Sequence, residues 1–339
     1  MGGSAFDFTS EKQASEQMMP VSGFSITVVI PAYNVQDYIE EAVDSVLNQA
    51  ITPDEVIIVN DGSTDKTRQV ISKYESNPIV QVIDTENRGL GPARNAGLEA
   101  ASYEYVYFFD SDDVMAPAFM TVIEKAVVEY QDPDMIVFSG ESFADKGQKF
   151  AFNPPNYKRK INAVFDNGPQ MYRELQRTQS QFSSACLYVT KRSVWNNSGL
   201  RFKPIVHEDE EILLPLFFAI KECCSLTEVL FHRRVREGSI MAGGVTRRNA
   251  AGMMQVLETL MALKQQDPKI VNEHEDLWLS RTQGMLVAAS NRSIQSGAPI
   301  PNMLMVNVFF RVFSIKLMLR LAKQYAVAIA KQFRRKVSR

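Results

Sequence analysis

An alternation of short apolar runs and helical segments restricts the fold of this chain more than any other feature of its sequence. The runs are ITVVI, EVIIVN, IVQVID and EYVYFF, and segments such as DYIEEAVDSVLNQ, with apolar residues at helical spacing, lie between them. Runs that are apolar on both faces are typical of buried parallel strands, which helices connect. The alternation therefore predicts an α/β fold with a mostly parallel sheet flanked by helices.

A polar loop follows each of these runs. The loops read PAYN, NDGSTD, NRGLGPARN and DSDD, and each begins where a predicted strand ends. Ligands of open α/β sheets bind at the carboxyl ends of the strands. We therefore expect the loops to form one binding site.

The DSDD loop crowds three carboxylates, those of Asp110, Asp112 and Asp113, into four positions. Carboxylates that lie about 4 Å apart near a protein surface repel by roughly 4 kcal/mol, so they need a cation or a raised pKa. Oxygen ligands alone suit Mg²⁺ or Mn²⁺. The loop thus predicts a metal site, with capping of the next helix by Asp112 or Asp113 as the alternative.

Five segments, VVIPAYN, VIIVNDGSTD, NRGLGPARNAG, YFFDSDD and HEDE, resemble in this order the motifs of family 2 glycosyltransferases with the Rossmann-like GT-A fold. The sequence is similar in particular to bacterial enzymes that build capsules, exopolysaccharides and lipid-linked glycans. The resemblance covers about residues 24 to 242. It implies inverting, metal-dependent transfer of a hexose or N-acetylhexosamine from a UDP-sugar to a hydroxyl of a glycan or lipid-linked acceptor. A non-catalytic, membrane-associated nucleotide-sugar-binding or scaffold protein is the alternative.

The resemblance also implies which residues bind the donor. Asp61 would accept a hydrogen bond from the base, although an Asp-Gly pair is also a common turn. Gly89 and Gly91 would allow close backbone approach, and Asp110 would hold the ribose. The full set of donor-binding residues is Pro31, Ala32, Tyr33, Asn34, Asp61, Gly89, Arg94, Asp110, Ser111, Arg236 and Ser239.

The resemblance assigns the chemistry to carboxylates. Asp112 would bind Mn²⁺ or Mg²⁺, and His232 is either a further metal ligand or a residue that merely ends a strand. Asp209 would take the proton from the acceptor hydroxyl, with Glu208 as its neighbour. Crowding by the adjacent acids should raise the pKa of a carboxylate there. The alternative is a solvated acidic helix start, which the helix dipole favours.

These patterns divide the chain into three parts. Residues 1–22 are polar and are expected to form a mobile tail, residues 23–245 the GT-A catalytic domain, and residues 246–339 a helical region. The three cysteines have no framework spacing, which indicates a reducing compartment. The sequence contains no run of eighteen apolar residues, so no transmembrane helix is predicted.

Charge is distributed unevenly along the chain. No Asp or Glu follows Asp276, whereas eleven Lys and Arg do. Within about residues 301–339 a helix is predicted with Lys316, Arg320 and Lys323 on a basic stripe and apolar residues that include Leu317, Leu321 and Tyr325 opposite. Such a helix is typical of proteins that lie on an anionic membrane. We therefore expect a cytoplasmic protein that binds peripherally to the inner face of the cell membrane. A core helix and an oligomer contact are the alternatives, and no nucleic-acid partner is expected.

Overall fold

A computed structural model describes residues 24–145, 154–236, 245–297 and 303–337. The predicted mobile tail and Ser239 lie outside these residues. The strands are β1 Ile26–Ala32, β2 Glu55–Asp61, β3 Val80–Thr85, β4 Tyr105–Phe108, β5 Val114–Met115, β6 Met135–Ala144, β7 Ala163–Phe165, β8 Tyr188–Lys191 and β9 Cys223–Val235. The helices are α1 Ile39–Leu47, α2 Thr67–Ile71, α3 Leu90–Ala100, α4 Phe119–Glu129, α5 Gly168–Arg177, α6 Arg192–Ser198, α7 Glu208–Ala219, α8 Arg247–Gln266, α9 Pro268–Glu273, α10 Glu275–Ser296, α11 Met303–Arg311 and α12 Ile315–Val337.

The described strands form one sheet in the order β3-β2-β1-β4-β8-β6-β9-β5, and β7 pairs with β9. The first four strands in this order are parallel, as the alternating pattern predicts. Beyond β4 the sheet becomes mixed, because β8 runs antiparallel to both of its neighbours, and β5 and β7 run antiparallel to β9. The expected mostly parallel sheet flanked by helices is confirmed.

Both faces of the sheet are buried. Every residue of β1 is buried, with Val28 and Ile30 on the face covered by α1 and α4. Val29 lies on the opposite face, which α3, α7 and the helices from α8 onward cover. This two-sided burial explains why the strand sequences are continuously apolar, and it leaves the strand ends as the place for polar groups.

The C-terminal helices share the core of the sheet. Met305, Val308 and Val312, from α11 and the turn after it, are buried in the cluster that covers one face. In α12, Leu317 is buried in the same cluster and Leu321 packs against it. These two leucines belong to the stripe that was predicted to face a membrane, and that assignment is wrong for them. Within the described residues, no helix is both long enough and apolar enough to span a bilayer.

Candidate active site

The loops after β1, β2 and β3 lie side by side at one edge of the sheet. Their strands are neighbours, with Ala32 beside Asn60 and Asn60 beside Asp84 at the carboxyl ends. The side-chain oxygen of Asn34 accepts a hydrogen bond from the backbone N–H of Thr64 at 2.8 Å, which joins the first two loops. The structure thus brings together the loops that the sequence predicts to converge.

The four PAYN residues contribute differently to this edge. Pro31 and Ala32 are buried at the end of β1. Asn34 has a positive φ of 51°, and its side chain holds the neighbouring loop. Tyr33 is 47% exposed and therefore presents an aromatic ring to the solvent at the strand end. Of this motif, Tyr33 is the residue best placed to stack on a base.

Asp61 organises the loop that leads into α3. Its carboxylate is buried and accepts hydrogen bonds from the backbone N–H groups of Arg88 at 3.0 Å and Gly89 at 2.9 Å. Gly89 has a φ of 95° and Gly62 one of 68°, both in the left-handed region that glycine adopts readily. Asp61 therefore has the turn role that its Asp-Gly pair also indicates, and its contact with a base stays a prediction.

Gly91 serves the packing of the protein itself. A Cβ at this position would lie 2.4 Å from the backbone oxygen of Lys203. The close approach that this glycine permits is thus to the segment before α7, whereas the sequence predicted an approach to the nucleotide. The contact places α3 directly against the polypeptide that leads to the HEDE motif.

Arginines partner the carboxylates of the DSDD loop. Asp110 accepts a hydrogen bond from Arg94 of α3 at 2.9 Å, and Asp112 accepts one from Nε of Arg236 at 2.8 Å. The Arg236 guanidinium also lies over the ring of Tyr38, 4.6 Å from its centroid. Arg236 therefore lies beside Asp112, and its contact with the donor stays a prediction.

Asp113 is buried, like Ser111, and faces β9. Its carboxylate accepts a hydrogen bond from the backbone N–H of Arg234 at 2.7 Å, and Nε of Arg234 donates to the backbone oxygen of Asp112. The next helix, α4, begins only at Phe119, after β5. Capping by Asp112 or Asp113 is therefore wrong, and Asp113 instead secures the end of β9.

The arginines do not fully compensate the buried negative charge. Burial raises the pKa of Asp112 and the nearby Asp110 raises it further, while Arg236 opposes both. Burial raises the pKa of Asp113 well above its usual value, and Asp112 adds to the effect. An additional cation at this corner would be favourable.

In the described residues, His232 and Asp112 do not form a complete set of metal ligands. Nδ1 of His232 lies 3.2 Å from the carboxylate of Glu141, its neighbour on β6. Among the residues that the structure describes, no group of three or more His, Cys, Asp or Glu side chains is arranged to hold a metal ion. Carboxylates such as Asp110 and Asp112 do fit Mg²⁺ or Mn²⁺, since these ions usually take one or two carboxylates and complete their shell with phosphates and water.

The acids that begin α7 are held individually. Glu208 accepts a hydrogen bond from Arg94 at 2.8 Å, and Glu211 forms an ion pair with Lys203 at 2.8 Å. Glu210 is paired with Arg281 of α10. Because Glu208 and Glu211 are buried, the alternative of a solvated acidic helix start is wrong.

Asp209 differs from the other three acids. Its carboxylate accepts a hydrogen bond from the backbone N–H of Glu210 at 2.8 Å, but it forms no ion pair with any residue in the described ranges. Burial raises the pKa of Asp209 to about 7; Glu208 and Glu210 add to this rise, and Arg94 opposes it. A carboxylate with a pKa near neutrality suits a general base.

Arg94 connects the two acidic motifs. Its guanidinium is 3% exposed and donates through one terminal nitrogen to Asp110 and through the other to Glu208. The sequence placed Arg94 at the nucleotide or the donor sugar, and nothing in the sequence pairs it with Glu208, which lies 114 positions away. The ion pairs bring the DSDD loop and the start of α7 to one site.

Comparison with known proteins identifies the family. A sequence model described as glycosyl transferase family 2 matches residues 27–188, from β1 to the start of β8. Glycosyltransferase GlyA of Streptococcus pneumoniae is 32% identical over 226 residues, or 63% of this chain. Residues 27–188 therefore form a glycosyl transferase family 2 domain. A second relative, the uncharacterized glycosyltransferase EpsJ of Bacillus subtilis, is 26% identical over 220 residues.

The aligned region covers only part of these relatives. It spans 31% of GlyA and 62% of EpsJ, less than two thirds of either sequence.

Solved structures confirm the GT-A fold of this chain. TarS of S. aureus, in a complex with UDP-GlcNAc, superposes with a TM-score of 0.61 at 17% identity over 92% of each chain. Mannosyltransferase PcManGT of Pyrobaculum calidifontis, in a complex with GDP-Man and Mn²⁺, superposes with a TM-score of 0.52 at 20% identity over 92% of this chain and 88% of its own. At these identities the likeness shows the fold alone.

Proposed function

We propose that the protein transfers a hexose or N-acetylhexosamine from a UDP-sugar to a hydroxyl group of a glycan or lipid-linked acceptor, with inversion at the anomeric carbon. The reaction belongs to the synthesis of a cell-surface polysaccharide and takes place at the inner face of the cell membrane. The observation that carries the proposal is Asp209, a carboxylate without an ion-pair partner in the described residues and with a pKa of about 7. It lies next to Glu208, which Arg94 ties to the DSDD loop.

Inversion follows from a single displacement. Asp209 accepts the proton of the acceptor hydroxyl while that oxygen bonds to the anomeric carbon. The bond between this carbon and the β-phosphate oxygen breaks on the opposite side, and its electron pair leaves with UDP. A base with a pKa near 7 is about half ionised at neutral pH and is basic enough to take the proton, which supports Asp209 in this role.

The donor binds at the edge formed by the first four strands. Tyr33 stacks on the base, and Asp61 at the end of β2 accepts its N–H, which favours uracil. Support for a nucleotide sugar as donor comes from TarS, which has been solved with UDP-GlcNAc, and from PcManGT, which has been solved with GDP-Man.

Two cations counter the charge of the departing diphosphate. Arg236, which lies beside Asp112, donates to phosphate oxygens, for which the guanidinium fork is well suited. Mn²⁺ or Mg²⁺, held by Asp112 and His232 with Asp110 nearby, would supply Lewis-acid stabilisation of the same charge.

Hydrolysis of a panel of UDP-sugars with Mn²⁺ present tests the proposal. We expect turnover of at least one donor, and its loss in Asp112→Asn. If UDP-sugars bind but none is hydrolysed or transferred to an acceptor, the protein would instead be the non-catalytic binding protein.

A second experiment tests the assignment of the base. Asp209→Asn should bind UDP as the native protein does, while transfer falls by about 10²–10⁴-fold, the usual contribution of a general base. If UDP binding fell as much as transfer, Asp209 would be a donor-binding residue. Glu211→Gln, a change in the same turn of α7 at a residue held by Lys203, is the matched control.

A further inference from the structure

The most exposed apolar surface of the described residues lies at the junction of α11 and α12. Phe310 is 73% exposed, Ile315 68% and Leu319 61%. Phe313 and Met318 are exposed beside them. Soluble monomers rarely expose contiguous apolar patches of more than a few hundred Å², and larger patches usually mark a binding surface. We call these five residues the outer apolar surface.

The outer apolar surface faces away from the protein core. In α12, Leu317 is buried and Leu321 packs on the core, which defines the inner side of the helix. At 3.6 residues per turn, Ile315 and Leu319 project on the opposite side. This helix therefore has two apolar sides, one used for folding and one without a described partner.

Basic side chains border this surface. Lys316, Arg320 and Lys323 are exposed along one flank of α12, between its inner and outer sides, and Arg311 is exposed at the end of α11. None of the four forms an ion pair within the described parts of the chain. The sequence carries no acid after Asp276, so nothing from this segment neutralises them.

We propose that the outer apolar surface docks on an anionic lipid bilayer, with the four basic residues at the level of the headgroups. Helices that lie in a membrane interface combine an apolar side that carries Phe and Leu with a Lys- and Arg-rich flank, which is the arrangement found here. Charge selects this occupant, because a flank of basic side chains without an ion-pair partner in the described residues matches anionic headgroups. The lipid-facing side chains are thus Phe310, Phe313, Ile315, Met318 and Leu319, rather than the Leu317 stripe.

Point variants of the full chain test this docking better than truncation. Removal of α11 and α12 would take Met305, Val308, Val312 and Leu317 out of the core and could unfold the protein. The outer residues are exposed, so substitution there leaves the core intact. We therefore choose an apolar variant, Phe310→Ser with Leu319→Ser, and a basic variant, Lys316→Gln with Arg320→Gln and Lys323→Gln.

Cosedimentation with vesicles measures docking directly, using phosphatidylcholine alone or mixed with phosphatidylglycerol. We expect the native protein to bind the mixed vesicles. Each lost charge should weaken binding about fivefold, so the basic variant should lose about a hundredfold. The apolar variant should lose binding to both kinds of vesicle.

Matched controls remove the same number of exposed charges or exposed apolar side chains elsewhere. Lys125→Gln with Lys221→Gln and Lys269→Gln removes three exposed lysines from other elements. Val128→Ser with Val164→Ser removes two other exposed apolar side chains. Both controls should bind vesicles as the native protein does.

Three results would overturn the docking proposal. They are absence of binding to the mixed vesicles, equal losses in the variants and their controls, and a solution dimer that the apolar variant dissociates while no vesicle binding is seen. The last result would assign the surface to a second copy of the chain. Hydrolysis of UDP-sugars without vesicles should be unchanged in all variants, which separates a failure of docking from a failure of the proposed catalysis.

Discussion

Replacement of Asp209 by Asn should make the protein more stable as it becomes inactive. The carboxylate of Asp209 is held among Glu208 and Glu210 at the start of α7, and its pKa is about 7. Asn has nearly the same shape and can still accept the hydrogen bond from the backbone N–H of Glu210. It carries no charge, so the substitution removes the unfavourable burial of an ionised group and little else.

The size of the gain follows from the pKa. The ordinary pKa of the group is 3.8 and that in the folded protein is about 7. Each unit by which folding shifts the pKa corresponds to about 1.4 kcal/mol, so folding disfavours the ionised carboxylate by about 4 kcal/mol. Because the folded pKa is the higher one, this group stabilises the folded state fully below pH 3.8, and that stabilisation is lost as the pH rises through about 7. The free energy of unfolding of the variant should therefore exceed that of the native protein by up to about 4 kcal/mol at about pH 8.5. At about pH 5 this gain should be about 3 kcal/mol smaller.

Urea unfolding of both proteins at the two pH values measures this difference. Comparing variant and native protein at each pH cancels the titration of Asp112 and Asp113, whose pKa values are also raised. Glu211→Gln is the control, since its carboxylate is stabilised by Lys203 and Thr259 and its loss should bring no gain. A variant no more stable than the native protein at the higher pH, or a gain that is the same at both values, would refute the burial of an unpaired charge at Asp209.

Three further predictions concern the site and its support. Transfer measured at saturating substrates should fall about tenfold per pH unit below about pH 7, as protonation removes the base; a flat profile there would contradict this. Arg94→Gln should lower the free energy of unfolding by about 3–5 kcal/mol, measured in urea, because buried carboxylates lose their partner. The same variant should move the acidic limb of the pH profile of transfer to higher pH, since Arg94 lowers the pKa of Asp209. An unchanged limb would count against this effect of Arg94 on Asp209. Gly91→Ala should lower the free energy of unfolding by about 1–3 kcal/mol, because the added Cβ meets the backbone oxygen of Lys203. Gly284→Ala has open space around the added Cβ and should raise the free energy of unfolding by up to about 1 kcal/mol.

The part of the fold that local patterns encode could be predicted from the sequence. Continuous apolar runs predicted β1, β2, β3 and β4, and the polar residues after them predicted the edge where ligands would bind. These features depend on neighbouring residues, whose periodicity reports burial directly. The mixed half of the sheet was less accessible, because the antiparallel insertion of β8 between β4 and β6 depends on pairings between distant segments.

The cations of the site illustrate what the sequence could not reveal. No Lys or Arg occurs between Arg94 and Lys125, so the charge of the DSDD loop looked uncompensated. Arg234 and Arg236 reach it from the end of β9, more than a hundred positions away. The sequence shows these basic residues, but only the pairing of β9 with β5 and β6 brings them to the acids.

The two arginines that touch Asp110 and Asp112 differ in a way that bears on the mechanism. Arg94 is buried and donates to carboxylates of both acidic motifs, so its ion pairs belong to the folded structure whether or not a donor is bound. Arg236 and Asp112 remain partly accessible, so a ligand can reach this pair. Because a buried ion pair is costly to break and a partly exposed one is not, we propose that Arg94 positions the two acidic motifs and that Arg236 contacts the donor. The substrate can then exchange contacts with Arg236 while the distance between the donor loop and the start of α7 stays fixed.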